Sequence, residues 1–222
     1  MATTWSPTDQ SGAVLSNGDL TVTGTSGSSG GFNGARSNNS ISTGKNYAEF
    51  SMDALAQGSV GLADQTAIFN FPAPHFPPSP SGTQAVLEPS GYYIGVGGQM
   101  VQLAGAADIV PVTGDVVSVA ADFGAGVFWF AVNGVWLNGG VPASGLNPNI
   151  SFPPNLPLFL FWHGRAADTE TMRVLQNQFG FPVPNGFNPW GIVPPAPPTD
   201  TANFYIDNCL VHRDDKPKYS YN

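Results

Sequence analysis

Two carboxylates two residues apart, Asp168 and Glu170, are the pair in this sequence best placed to do chemistry. On an extended strand, residues i and i+2 project to one face. Two carboxylates on one face are the working pair of a glycoside hydrolase. The competing structural reading is a solvated loop that leads into a strand over residues 171–179. Asp115 and Asp122 bracket another strand and read as structural residues. His75, His163 and His212 have no metal-ligand spacing among themselves, and Cys209-x-x-His212 is half of a zinc pattern without its other half. No Gly-x-Ser-x-Gly elbow stands out, and Gly95-x-Gly97-Gly98 opens no helix. Neither a metal nor a cofactor is expected.

Aromatic side chains offer a second chemistry. Trp136 falls just past a hairpin tip, and Trp162, His163 and Arg165 fall where an apolar strand runs into a loop. Aromatic faces beside polar groups suit a sugar ring or a peptide anchor. Phe71, His75 and Phe76 lie in a proline-rich stretch that is apolar for an exposed segment, as expected of a loop that packs on a neighbour. The structural alternative is that Trp136 and Trp162 close the ends of a core. Trp5 and Trp190 read as core residues that tie the two ends of the domain together.

The elements that must position these residues are strands. Residues 18–24 and 46–52 alternate in polarity, as do 114–122 and 127–132, and turn residues separate the runs. Asn133-Gly134 is a strong hairpin signal because both residues tolerate positive φ. Residues 156–162 are nearly continuous in apolar side chains and read as a strand buried on both faces. Residues 24–34 read as a flexible glycine-serine loop. The prolines of 70–91 argue against an interior strand and for a long loop within the domain. Residues 191–199 read as a semi-rigid extended linker, and 203–212 as one more strand.

Composition narrows the classes. The 222 residues include 27 Gly and 21 Pro, which excludes a helical bundle, while 41% hydrophobic residues argue against disorder. Seven basic residues against fifteen acidic give a net charge of −8, too few cations for a nucleic-acid surface. No apolar run reaches the ~20 residues that cross a bilayer as a helix, so no membrane insertion is expected. The first residues carry neither a basic nor an apolar leader segment, so no signal peptide is expected. A lone cysteine, Cys209, excludes an internal disulfide framework and fits synthesis in a reducing compartment.

Several segments in order resemble a known family. They are Trp5, Leu15-Ser-Asn-Gly-Asp-Leu20, Ala35-Arg36, Gly44-Lys-Asn-Tyr-Ala-Glu-Phe50, Ser59-Val-Gly-Leu-Ala63 and Gly91-Tyr92-Tyr93. Gly114-Asp115, Asp122, Gly126-Val-Phe-Trp-Phe130, Asn133-Gly134 and Asn185-Gly-Phe-Asn-Pro-Trp190 complete the series. Together they resemble a SPRY (B30.2-like) domain of the bacteriophage and bacterial type, over residues 5–190. The resemblance implies an all-β, two-sheet antiparallel β-sandwich of the concanavalin-like jelly-roll kind. It also implies loops gathered at one edge as a binding surface and no catalytic residues. The domain is expected over 1–190, with a proline-rich linker and extended C-terminal arm over 191–222. Three functions follow as alternatives. The first is a non-enzymatic virion protein on a bacteriophage capsid or tail, homo-oligomeric within an assembly, with other virion proteins and a host-surface glycan or protein as partners. The second is an intracellular adaptor that grips a short peptide. The third is a carbohydrate-active enzyme using Asp168 and Glu170.

Overall fold

The computed structural model describes residues 2–25, 33–67, 69, 83–88, 91–96, 99–102, 110–190, 204–206 and 209–211. In chain order the first strands are β1 (Trp5–Ser11), β2 (Ala13–Ser16), β3 (Thr21–Gly24), β4 (Asn33–Ser37), β5 (Lys45–Ala54) and β6 (Ser59–Ala63). Next come β7 (Thr83–Glu88), β8 (Gly91–Val96), β9 (Gln99–Gln102), β10 (Val116–Asp122), β11 (Val127–Val132) and β12 (Val135–Trp136). The last are β13 (Ile150–Ser151), β14 (Phe159–Gly164), β15 (Thr169–Arg173), β16 (Asn188–Pro189), β17 (Phe204–Ile206) and β18 (Cys209–Val211). The chain divides into two compact units, Met1–Gly191 and Ile192–Asn222.

The larger unit is an antiparallel β-sandwich. One sheet has the order β1-β4-β14-β6-β7-β8-β9, and the other runs β12-β11-β10-β5-β15-β3-β2, with β13 on β11 and β16 on β5. β16 lies parallel to β5, pairing Pro189 with Tyr47. Pro7 cannot donate a ladder bond. It sits in the edge strand β1, where pairing with β4 breaks register between Trp5 and Gln10. Asn133 and Gly134, at φ 49° and 78°, make the tight turn that lets β11 fold back onto β12.

Between the sheets lie Trp5, Phe50, Phe128, Phe130, Trp162 and Trp190, all essentially inaccessible. Burial of side chains this large contributes roughly 2–3 kcal/mol each. The terminal tryptophans serve as ties. Trp5 stacks on Phe50 and gives its indole N–H to Leu20 O at 3.0 Å, and Trp190 meets Phe123 edge-on and bonds Tyr47 O through its backbone at 2.7 Å.

Each sheet is also covered on its outside, which explains why β4, β6 and β14 are buried on both faces. Ala63, Ala67, Val86 and Phe161 form one outer cluster, with Phe69 stacked on Phe161. Arg36 clamps this cover. Its guanidinium grips both carboxylate oxygens of Asp9 at 2.8 Å, donates to Ala67 O at 2.5 Å and lies 4.4 Å from the Phe69 ring centre. On the other sheet the cover is the strap over residues 174–190.

Three expectations change. Residues 83–88 form the interior strand β7, because the prolines stop at Pro80 and leave an apolar alternation free to pair with β6 and β8. β3 begins at Thr21, since Asn17 and Asp19 take positive φ and spend residues 17–20 on a turn. In the smaller unit, 203–212 holds two short strands in place of one. Phe204 pairs with Val211 and Ile206 with Cys209 in antiparallel register. The glycine-serine stretch over 26–32 lies outside the described residues.

Candidate interaction surface

Asp168 and Glu170 come together, but inside the protein. Asp168, 1% exposed, accepts backbone N–H groups from Ala56 at 2.6 Å, Gln57 at 3.2 Å and Arg165 at 2.7 Å. Gly24 N also bonds Asp168 O, so one residue ties three loops at this end of the sandwich. Glu170, fully buried, faces the inter-sheet core from β15 and receives the indole N–H of Trp162 from β14 of the opposite sheet. Among the described residues its Oε1 has no hydrogen-bond partner, and it lies so close to Gly58 that a Cβ there would stand 2.3 Å away. Burial raises the Glu170 carboxyl well above the usual carboxylate range; Asp168 and Asp53 add to the shift, and the Trp162 bond opposes it. Neither acid lies in the solvated loop the sequence suggested. Asp168 sits in the turn before β15, where i, i+2 alternation does not apply. The arrangement is a buried seam between sheets and loops.

The aromatic candidates separate. Trp162 points into the core. His163 faces the opposite side of β14, 1% exposed and stacked at 6.4 Å on Phe161. Arg165 is partly buried in the turn that Asp168 closes. These three side chains do not converge on one open surface. Phe71, His75 and Phe76 lie outside the described residues.

Trp136 is different. Four of the five tryptophans are at most 1% exposed, while Trp136 is partly exposed at the end of its sheet. Its indole N–H makes no hydrogen bond among the described residues. The ring meets Tyr47 edge-on at 6.5 Å, and Tyr47 in turn meets Phe179 edge-on at 4.9 Å. Trp136, Phe179 and Val183 pack partly buried on a floor of Tyr47, Ala120, Trp129 and Phe187. Phe181 presses on the hairpin tip, where a Cβ on Gly134 would stand 2.6 Å from its ring.

A buried carboxylate holds this strip in place. Glu49, fully inaccessible, accepts the Tyr47 hydroxyl at 2.7 Å and the backbone N–H groups of Gly180 at 2.7 Å and Phe181 at 2.9 Å. Arg173 lies 3.6 Å from the same carboxylate. Burial raises the Tyr47 phenol far above its usual range; the Ser118 bond opposes this and Glu49 adds to it. A strap fixed by charge-assisted bonds presents its aromatic side chains at low ordering cost. Phe179, Phe181 and Val183 were not singled out from sequence. The available signal was Phe179-Gly-Phe181-Pro-Val183, apolar residues spaced by Gly and Pro at the end of the strand expected over 171–179, which in the structure stops at Arg173.

No family model and no curated protein matches the sequence. Solved structures do match. The SPRY domain of human HERC1 superposes with a TM-score of 0.56 at 14% identity, covering 78% of this chain and 98% of that one. The fold is that of a SPRY domain. The TRIM65 PSpry domain also matches, with a TM-score of 0.51 at 16% identity, covering 78% of this chain and 90% of that one. Nearly all of the HERC1 domain is thus accounted for, while about a fifth of this chain is additional to the SPRY fold.

Proposed function

We propose that this protein is a non-enzymatic SPRY-fold binding module that serves as a structural component of a bacteriophage virion, on the capsid or tail. The SPRY fold is a protein-interaction fold, and the virion assignment draws on the phage-type order of segments from Trp5 to Trp190. The observation that carries the binding reading is the fate of the acids. Asp168, Glu170 and Glu49, the carboxylates closest to a catalytic arrangement, are buried and engaged with backbone or indole N–H groups, whereas Trp136 meets solvent on a braced strip. The proline-rich stretch and tail after Gly191 supply the attachment to neighbouring subunits. Among the described residues, no helix is long and apolar enough to cross a membrane.

Mass spectrometry of purified particles tests the assignment. The chain is expected at a fixed copy number relative to the major capsid protein. Its absence from washed particles, with the protein soluble in the host lysate, would instead favour an adaptor that grips a short peptide. The strip that favours binding suits that reading too.

A further inference from the structure

We infer that the strip formed by Trp136, Phe179 and Val183 is a docking site for a proline-rich extended segment, and that its occupant is the run Ile192-Val-Pro-Pro-Ala-Pro-Pro198 of a second copy of this chain. The inference rests on the binding-module reading and names its partner. Three features of the strip point to such a ligand. Trp136 brings an uncommitted indole N–H, and proline-rich backbone offers carbonyl acceptors with few competing N–H donors. Trp136 and Phe179 are both set edge-on to Tyr47, so two aromatic rings flank one floor residue. Rows of aromatic rings with a hydrogen-bonding indole are how grooves take polyproline segments. The strip is also braced before any ligand arrives, because Glu49 holds Gly180 and Phe181 by their backbone N–H groups.

The occupant is argued from this chain's own composition. Residues 192–198 carry four prolines and no charge, and they begin two residues after Trp190, where the sandwich ends. The strip residues are uncharged too, and the described cations beside them are paired: Arg173 with Glu49, and Lys45, 5.6 Å from the Phe187 ring centre, with Asp122 at 3.2 Å. No unpaired charge on either side needs to be stripped of water. A subunit repeated many times in one assembly meets the proline run of its neighbours at high local concentration.

The test uses the full chain. In a recipient carrying Pro194→Ser, Pro195→Ser, Pro197→Ser and Pro198→Ser, a synthetic peptide of residues 191–199 is titrated and tryptophan emission followed. Saturable binding with a blue shift is expected, against none for a peptide with serine at the four prolines. Adding Trp136→Ala to the recipient should weaken binding about tenfold or more. Trp136→Phe keeps the ring against Tyr47 but removes the N–H, and should fall between. Near-ultraviolet circular dichroism checks that both variants are folded. Sedimentation velocity of the unaltered chain should show concentration-dependent association, lost in either the four-proline variant or Trp136→Ala.

Absent binding, or binding indifferent to both Trp136 changes, would overturn the inference. Peptide binding without concentration-dependent association would overturn the assignment to a second copy. If the chain is found in particles while the peptide fails to bind, this inference falls and the virion reading survives. The opposite pair of results separates the two the other way.

Discussion

Replacing Glu170 by glutamine should flatten the pH dependence of stability. The ordinary carboxyl pKa is 4.5, and burial raises that of Glu170 well above it in the folded protein. Below pH 4.5 both folded and unfolded chains hold the proton, and this group leaves stability unaffected. Above it the unfolded chain releases the proton and the folded chain does not, so stability falls with rising pH by about 1.4 kcal/mol per unit until the folded carboxyl itself ionises. Each such unit is a large share of the ~5–15 kcal/mol of an ordinary domain. Glutamine carries no such proton. It keeps an acceptor for the Trp162 indole, but its amide group inherits the unpartnered position against Gly58, at a cost of roughly 1–3 kcal/mol at every pH. The diagnostic is therefore the slope of the difference between the two proteins. Urea unfolding followed by tryptophan emission at a series of pH values from 4.5 to 7.5 should show the variant gaining on the parent as the pH rises above 4.5. A constant difference across that range would refute the assignment of a buried, protonated Glu170.

Three further outcomes are expected. Gly58→Ala places a methyl group on Glu170 Oε1 and within 3.1 Å of Leu55, and should cost about 1–3 kcal/mol in urea unfolding. Glu49→Ala leaves two strap N–H groups without their acceptor and the Tyr47 hydroxyl with Ser118 alone, and should cost about 3–5 kcal/mol. Hydrogen exchange at Gly180 and Phe181 should accelerate in that variant far more than exchange in the β10–β11 hairpin. Arg36→Lys removes the two-pronged grip on Asp9 and the bond to Ala67 O, with an expected loss of about 2 kcal/mol; an unchanged melting temperature would contradict the clamp.

Local chemistry made much of the fold legible. The Asn133-Gly134 turn, the alternation through β10 and β11 and the apolar run of β14 each follow from residues within a few positions of one another. The two outer covers do not. β5 reads as one polar and one apolar face, with Tyr47 and Glu49 opposite Phe50 and Met52, yet both faces are buried because a strap more than 120 residues away closes over the polar one. Glu49 takes backbone N–H groups as partners there, and the side-chain pattern of the strap carries no mark of them. Arg36 likewise finds Asp9 27 residues away across a bulged edge. At the candidate site, Trp136 was visible as an aromatic beside a hairpin. Trp162 and His163 resembled it in sequence, and only the direction of β14 separates them, sending one into the core and the other under the outer cover.

A cryo-microscopy map of the proposed virion tests the binding role most directly. Density for the SPRY-fold sandwich is expected in fixed register with its neighbours, with an extended chain from an adjacent copy lying across Trp136. A map in which the sandwich is missing, or in which Asp168 and Glu170 line an open cleft around a bound sugar, would contradict that role.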